Sequence, residues 1–520
     1  MAMKVLQKII LPGCLFLFCC RQPAHNSGGI VIADSSVRHG RALATRYCGS
    51  CHLLPDPSLL DKKSWEKGVL PAMGPRLGIF HYGKESYPSY RGDPYVGMGA
   101  YPSRPLLANW EWQELIDYYS GSAPDSMPPQ PSHEPIHEGL SLFEPLGVRD
   151  DNVPLTCYVH IDTVGKRRQV LAGRVFPGVL SRYDPGMRRL DSLVVRGGIV
   201  DMQLGDTSGI ACDIGNINPN NARFGGAYRV HIGGGGQLRM DTLPFLWDLA
   251  RPVQVLGADL NGDGRTDYLV CEFGNLRGAL SWMEDDGKGG FVRHILRAQP
   301  GAIRAYIQDV NNDGRPDIWV LFAQGDEGIF LYTNRGQGRF EEREVLRFPP
   351  VYGSSCFELA DFNHDGHPDI VYTCGDNADY SVVFKPYHGV YIFLNDGHNR
   401  FYRKFFYPIN GCYKALARDF DGDGDLDLAV IGYFADFGRN PDEGFVYFEN
   451  RGNMAFTPYT VAAARKGRWL TMDAGDVDGD GRIDLVLGNF SVGPTLSKDS
   501  NDWKKGPSVL LLKGLGKNRR

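Results

Sequence analysis

Cys48-Gly-Ser-Cys51-His52 places two thiols and an imidazole within five residues. Cys-x-x-Cys-His is the pattern of covalent c-type haem attachment. The two thiols add to the vinyl groups of the macrocycle, and the following imidazole is presented to the iron. Both thioether bonds and the ligand must meet one flat ring, which fixes the spacing. A redox-active Cys-x-x-Cys or half of a zinc site is the alternative; zinc needs two further ligands, and no second Cys-x-x-Cys exists in the chain. A second iron ligand is offered by Met73, 21 residues past His52, or by Met98, 46 residues past it. His81 or an open position are further alternatives, and either methionine also suits core packing.

A second chemistry repeats five times as Asp-x-[Asp/Asn]-x-Asp-Gly-x-x-Asp. The side chains are Asp259, Asn261, Asp263 and Asp267; Asp309, Asn311, Asp313 and Asp317; Asp361, Asn363, Asp365 and Asp369; Asp419, Asp421, Asp423 and Asp427; and Asp476, Asp478, Asp480 and Asp484. Oxygens this dense repel one another unless a hard cation sits among them, which points to calcium. The main-chain carbonyl at position seven (Arg265, Arg315, His367, Asp425, Arg482) is the expected further ligand. Metal-free Asp-Gly turns are the alternative. An EF-hand is excluded, because it needs a glutamate at position twelve and flanking helices. Position twelve here holds Val270, Val320, Tyr372, Val430 and Leu487, within β-branched and apolar runs.

The elements that carry these turns are strands. The turns begin 50, 52, 58 and 57 residues apart, and each precedes a strand-like run such as Tyr268-Leu-Val or Ile318-Trp-Val. A second mark follows about 30 residues later: an apolar run, a glycine turn and an aromatic residue, as in Tyr332…Gly336…Phe340, Phe393…Gly397…Phe401 and Phe448…Gly452…Phe456. With Met283…Gly287…Phe291 and weaker copies at Tyr183, Ile232 and Leu512, this mark occurs seven times. A four-stranded repeat of about 50 residues is a propeller blade. The pattern resembles the FG-GAP or VCBS repeat family, strongly over 250–515 and weakly over 150–250, where Asp206-Thr-Ser-Gly has lost most acids. The resemblance implies an all-β, seven-bladed β-propeller over 150–515, with calcium in each intact turn. The longest loops (216–221, 273–277, 376–380, 433–439, 489–495) are expected on the opposite rim as binding surface. On the inner strands Arg304, Tyr306, Glu358, Lys414 and Asp473 share one alternating side, as inter-blade ion pairs or as channel lining.

The surroundings of Cys48–His52 resemble a class I cytochrome c over residues 35–130. Gly40 and Tyr47 lie on a first helix, and the Trp110–Tyr119 stretch has apolar residues at helical spacing and ends before Ala123-Pro124. The proline-flanked Trp65…Leu70-Pro71…Met73 stretch resembles a subset of bacterial cytochromes and favours Met73 over Met98. The expected architecture is a small all-α cytochrome c domain, a linker over 131–149 and the propeller. Five prolines between Pro124 and Pro135 make the approach to that linker semi-rigid.

Lys4 and Lys8 precede an apolar run, Ile9 to Cys19, too short to span a bilayer. Residues 1–19 read as an export signal, and Leu17-Phe18-Cys19-Cys20 resembles a bacterial lipobox, implying a lipid on Cys20 and a membrane anchor; an ordinary signal peptide is the alternative. A net charge of −5 with no basic block excludes a nucleic-acid binder, whose affinity rests on phosphate neutralisation. The six cysteines of the repeat region permit disulfides. Together these features describe an exported haem c protein exchanging electrons with a redox partner protein, or with a small-molecule or glycan substrate held by the propeller. A cell-surface glycan or protein receptor with an accessory haem is the alternative. A haem-linked dehydrogenase with its site on the propeller is a third reading, although no organic-cofactor signature appears.

Overall fold

The computed structural model describes residues 33–97, 99–149, 152–496 and 503–516. The expected export signal over 1–19, Cys20 and Met98 lie outside the described residues. Among the described residues no helix is long and apolar enough to cross a membrane.

Seven antiparallel sheets form a closed ring, each with its first strand innermost. The inner strands are Thr156–Asp162, Ile199–Leu204, Pro252–Ala258, Ala302–Gln308, Ser354–Ala360, Cys412–Arg418 and Trp469–Gly475, for blades one to seven. The second strands explain the continuous apolar runs after the aspartate turns. Asp317–Phe322, Asp369–Cys374, Asp427–Gly432 and Asp484–Asn489 are buried at every position, because both of their faces meet a neighbouring blade. Trp319 and Leu321, for example, pack with Phe357 and Tyr372 of the next blade. Fourth strands such as Phe340–Arg347 face solvent and carry charge.

The ring closes with a strand from before the repeats. Phe143–Val148 pairs antiparallel with Val509–Gly514, from Phe143 opposite Gly514 to Val148 opposite Val509, and so supplies the fourth strand of blade seven. The final residues of the expected linker are therefore part of the propeller. Phe143-Glu-Pro-Leu-Gly-Val lacks a clean alternation, so only the open edge of the last blade reveals its role. The rest of the linker also lies on the wheel. The Glu134 carbonyl accepts from Tyr407 Oη at 2.6 Å, and His137 bridges to Tyr459.

Residues 33–122 contain two 14-residue helices, α1 (Asp34–Tyr47) and α2 (Asn109–Ser122), joined by short helical turns. They also contain a hairpin, His81–Tyr82 with Glu85–Ser86, turned by Gly83 at φ 57°, so the segment is not purely helical as expected. The two helices cross at Gly40, where a Cβ would stand 1.9 Å from the Glu114 carbonyl oxygen. Leu43, Trp65, Trp112, Leu115 and Tyr119 form the core around the crossing. The two indoles are satisfied: Trp65 Nε1 donates to the Pro57 carbonyl at 2.8 Å and Trp112 Nε1 to Tyr87 Oη at 3.1 Å. The helical unit sits directly on the propeller. Val351, Val383 and Tyr387 join its core, and Tyr387 Oη donates to the Leu59 carbonyl at 2.9 Å. Gly68 packs on the Tyr380 carbonyl, and Asn221 Nδ2 donates to Asp93 at 2.9 Å.

Candidate functional site

Cys48 caps α1, its amide bonded to the Ala44 carbonyl at 2.9 Å, and the Cys51 amide folds back to the Cys48 carbonyl at 3.2 Å. This single turn holds both thiols free beside His52. His52 Nδ1 donates to the Leu53 carbonyl at 3.0 Å, which fixes the tautomer and leaves Nε2 without a proton. Burial holds the His52 imidazole below the usual histidine range, and the charges of Asp326 and Arg347 in blade four also act on it. Burial pushes the Cys48 thiol up to about 11, beside Tyr119. Met73 ends the helical turn Leu70–Met73, half-buried and outside the apolar core. His81 is exposed and bonded to Ser86 Oγ at 3.0 Å.

The five aspartate turns share one hydrogen-bond plan. In the first, Asp259 accepts the amides of Gly262, Asp263 and Gly264, Asn261 accepts that of Asp263, and Asp263 accepts that of Arg265. The ninth residue, expected among the calcium ligands, is also tied into the backbone. Asp267, Asp317, Asp369, Asp427 and Asp484 are fully buried. One oxygen of each accepts the amide of the turn's second residue, at 3.1 Å for Leu260, 3.1 Å for Val310, 2.9 Å for Phe362, 3.2 Å for Phe420 and 2.9 Å for Val477. The other oxygen accepts an amide at the end of the third strand: Asp285, Asn334, Asn395, Asn450 or Gly514. In three blades that residue is an asparagine. Its Nδ2 donates to the carbonyl of the turn's eighth residue (Pro316, Pro368, Leu426), and its Oδ1 accepts the amide of the glycine two residues on. The two repeating sequence marks are thus two halves of one corner, a link not apparent in the sequence because Asn-x-Gly follows the ninth aspartate at varying distance, 17, 26 and 23 residues in the three blades.

At position seven, the side chains of Arg265, Arg315 and Arg482 bond the fifth-position carboxylates Asp263, Asp313 and Asp480. The turn at Asp419 carries Asp425 there instead. Carboxylate oxygens of Asp419, Asp421 and Asp423 converge within 4.8 Å, as do those of Asp476, Asp478 and Asp484. Blade one has no acidic turn. Arg167 bonds Asp162 at 2.6 Å and the carbonyls of Asp206 and Gly205 at 2.8 and 2.7 Å, so a guanidinium ties it to the short turn of blade two.

The inner-strand polar residues are clasps. Gln203 accepts the Gly257 amide, Gln254 that of Ala305, Glu358 that of Ala417 and Asp473 that of Ile161, while Tyr306 Oη donates to the Phe357 carbonyl. Each joins one inner strand to the next. His160–Asp473 at 2.7 Å, Glu358–Arg418 at 2.7 Å and Arg304–Asp201 at 3.5 Å add ion pairs. Side chains of His160, Asp473, Asp201 and Arg304 retain 16–36% exposure. The six cysteines of the repeats are free thiols, and Cys271 and Cys374 are buried packing residues.

The loops opposite the aspartate turns receive the helical unit: Asn221, Arg277 and Tyr380 all touch it. The family model described as FG-GAP-like repeat matches residues 259–320, 309–372 and 419–487. Residues 259–372 and 419–487 are thus FG-GAP-like repeats within the seven-bladed β-propeller. Integrin alpha-PS5 of Drosophila melanogaster is 32% identical over 105 residues, 18% of this chain and 9% of that protein. Cartilage acidic protein 1 of Homo sapiens is 25% identical over 415 residues, 68% of this chain and 60% of its own length. The chain thus spans less than two thirds of either relative. Among solved structures, Saccharomyces cerevisiae Sqt1 aligns at 9% identity with a TM-score of 0.41, covering 71% of this chain and 97% of Sqt1.

Proposed function

We propose that the chain is an exported electron-transfer protein in which a haem-bearing helical unit is docked on a calcium-braced propeller that recognises a redox partner or substrate. The observation that carries this reading is the setting of Cys48–His52. Two free thiols lie beside an imidazole whose Nδ1 is already engaged, and charges from blade four reach that imidazole. Cys48 and Cys51 would attach the haem, His52 would hold its iron, and Met73, with Met98 as alternative, would supply the second ligand. Haem held there supplies reversible one-electron transfer. The protein's own part is to keep His52 neutral and oriented and to bury one side of the site against Tyr119. Calcium would be held by the first, third and fifth side chains of each aspartate turn and the main-chain carbonyl of the seventh residue, with the ninth carboxylate completing the set and bracing the corner. The Asp419 turn fits best, since its carboxylates converge and no guanidinium competes for them. The FG-GAP repeats shared with integrin alpha chains support the recognition half. Lipidation at Cys20 would anchor the protein outside the cytoplasm.

The haem half is tested on protein matured in a host that attaches c-type haem. A haem band that survives denaturation is expected, and it is absent from the Cys48→Ala/Cys51→Ala double variant. Persistence of the band in that variant would refute the assignment. Met73→Ala is expected to remove the sulfur-to-iron charge-transfer band; its loss only in Met98→Ala assigns the ligand to Met98.

A further inference from the structure

Blade two differs from the others in its fourth strand. Leu238–Met240 and Leu246–Leu249 both pair with Gly225–Ile232, with residues 241–245 looping out between them. The break leaves Trp247 on the rim, 71% exposed, next to Phe224 at 66%. Both line a cavity of about 490 Å³ together with Arg196, Asn216, Arg223 and Asp248. That volume lies in the range of small-ligand sites, about 300–1,000 Å³.

The charges in the cavity are unequally committed. Asp213 accepts three glycine amides, from Gly197, Gly198 and Gly215, at 3.1, 3.2 and 2.8 Å. Arg223 pairs with Asp248 at 3.1 Å. Arg196 lines the same cavity, is exposed, and makes no ion pair among the described residues. Asp248 and Arg251 both hold left-handed backbone, at φ 57° and 45°, a conformation costly for residues other than glycine and concentrated at binding sites. One flank of the cavity meets the helical unit, where Tyr95 packs edge-on against Phe224 with ring centroids 5.3 Å apart.

We propose that this cavity binds an acidic sugar, a uronic-acid unit of a glycan. Trp247 offers an uncovered aromatic face to the apolar side of a pyranose ring. Arg196 supplies a planar two-pronged donor for the sugar carboxylate. Asn216 and Asp248, in the same lining, are available to bond ring hydroxyls. A protein surface is the less suitable occupant, since the cavity is small and its recognition groups are one aromatic face and one guanidinium that makes no ion pair among the described residues. The proposal deepens the recognition half of the proposed function and rests on it, and it is independent of the haem.

The test uses the full chain with tetrasaccharides of galacturonate, glucuronate and mannuronate, and the neutral methyl ester of each, followed by calorimetry. At least one acidic tetrasaccharide is expected to bind, with its ester at least tenfold weaker. Trp247→Ala should lower the affinity at least tenfold and Trp247→Phe should largely retain it, while Arg196→Gln should bring acid and ester to equal affinity. Binding of none of the three, equal binding of acid and ester by the unaltered protein, or an unchanged affinity in Trp247→Ala overturns the proposal. A purified protein ligand that is lost in Trp247→Ala while the sugars fail to bind assigns the face to protein recognition and likewise overturns it. The denaturation-resistant haem band and the calcium-dependent melt, read on the same sample, show separately whether the proposed function stands.

Discussion

A buried carboxylate with two backbone amides at its oxygens is a junction, and its removal exposes both donors. Asp369 holds Phe362 N and Asn395 N at 2.9 and 2.8 Å. Asp369→Ala leaves both buried donors unpaired and is expected to cost about 2–5 kcal/mol in denaturant unfolding. Asp365, on the exposed part of the same turn, should cost far less in the absence of calcium. Glu327 is a different kind of buried acid. Burial pushes its carboxyl up to about 8, against amides and a hydroxyl from Gly353 and Ser354 that act the other way. The folded state therefore keeps a proton that the unfolded chain releases near pH 4.5. The stability from this proton is full below about pH 4.5 and is lost as pH rises to about 8, with a slope of up to about 1.4 kcal/mol per unit. Melting temperature measured across that window should fall with pH, and Glu327→Gln should flatten the fall.

At the scale of elements, the turns and the helix crossing make the clearest predictions. If calcium occupies the aspartate turns, each ion stabilises the fold by about 2.7 kcal/mol at a hundredfold excess over its Kd. Adding chelator to the full chain should lower the melting temperature clearly, and an unchanged melt would mean metal-free turns. Asp423→Asn should weaken the tightest site, since the Asp419 turn has five acids and no arginine. The crossing of α1 and α2 has no room for a side chain at Gly40, where even a methyl group meets the Glu114 carbonyl. Gly40→Ala should therefore loosen the helical unit alone, seen as faster amide exchange in α1 and α2 with the strand amides unchanged.

For the molecule as a whole, the position of Phe143–Val148 decides where the chain can be cut. A fragment beginning at residue 130 retains the fourth strand of blade seven and should melt cooperatively. A fragment beginning at residue 150 leaves Val509–Gly514 as an open edge and should melt at least 10 °C lower or aggregate. Equal melting of the two fragments would show that closure by this strand is dispensable. The helical unit shares apolar core with Val351 and Tyr387, so it is held by packing in addition to its proline-rich connection.

Short-range patterns were legible in the amino-acid sequence. The nine-residue aspartate turns and their strand flanks repeat along the chain because blades three to seven make the same local hydrogen bonds, and together with the seven glycine marks they point to the propeller. The Cys48–His52 spacing and the helical periodicity of 110–119 are local in the same sense. Contacts between distant residues were not legible. Nothing local in Phe143–Val148 announces a strand that closes a ring some 360 residues later. The turn sequence alone does not say that the ninth aspartate is fully buried, because its second partner lies on another strand. Trp247 and Arg196 are unremarkable until the broken strand of blade two brings them to one cavity. Backbone turns and strand periodicity follow from neighbouring residues, whereas burial, ion-pair choice and the docking of one unit on another depend on which surfaces the closed ring brings together.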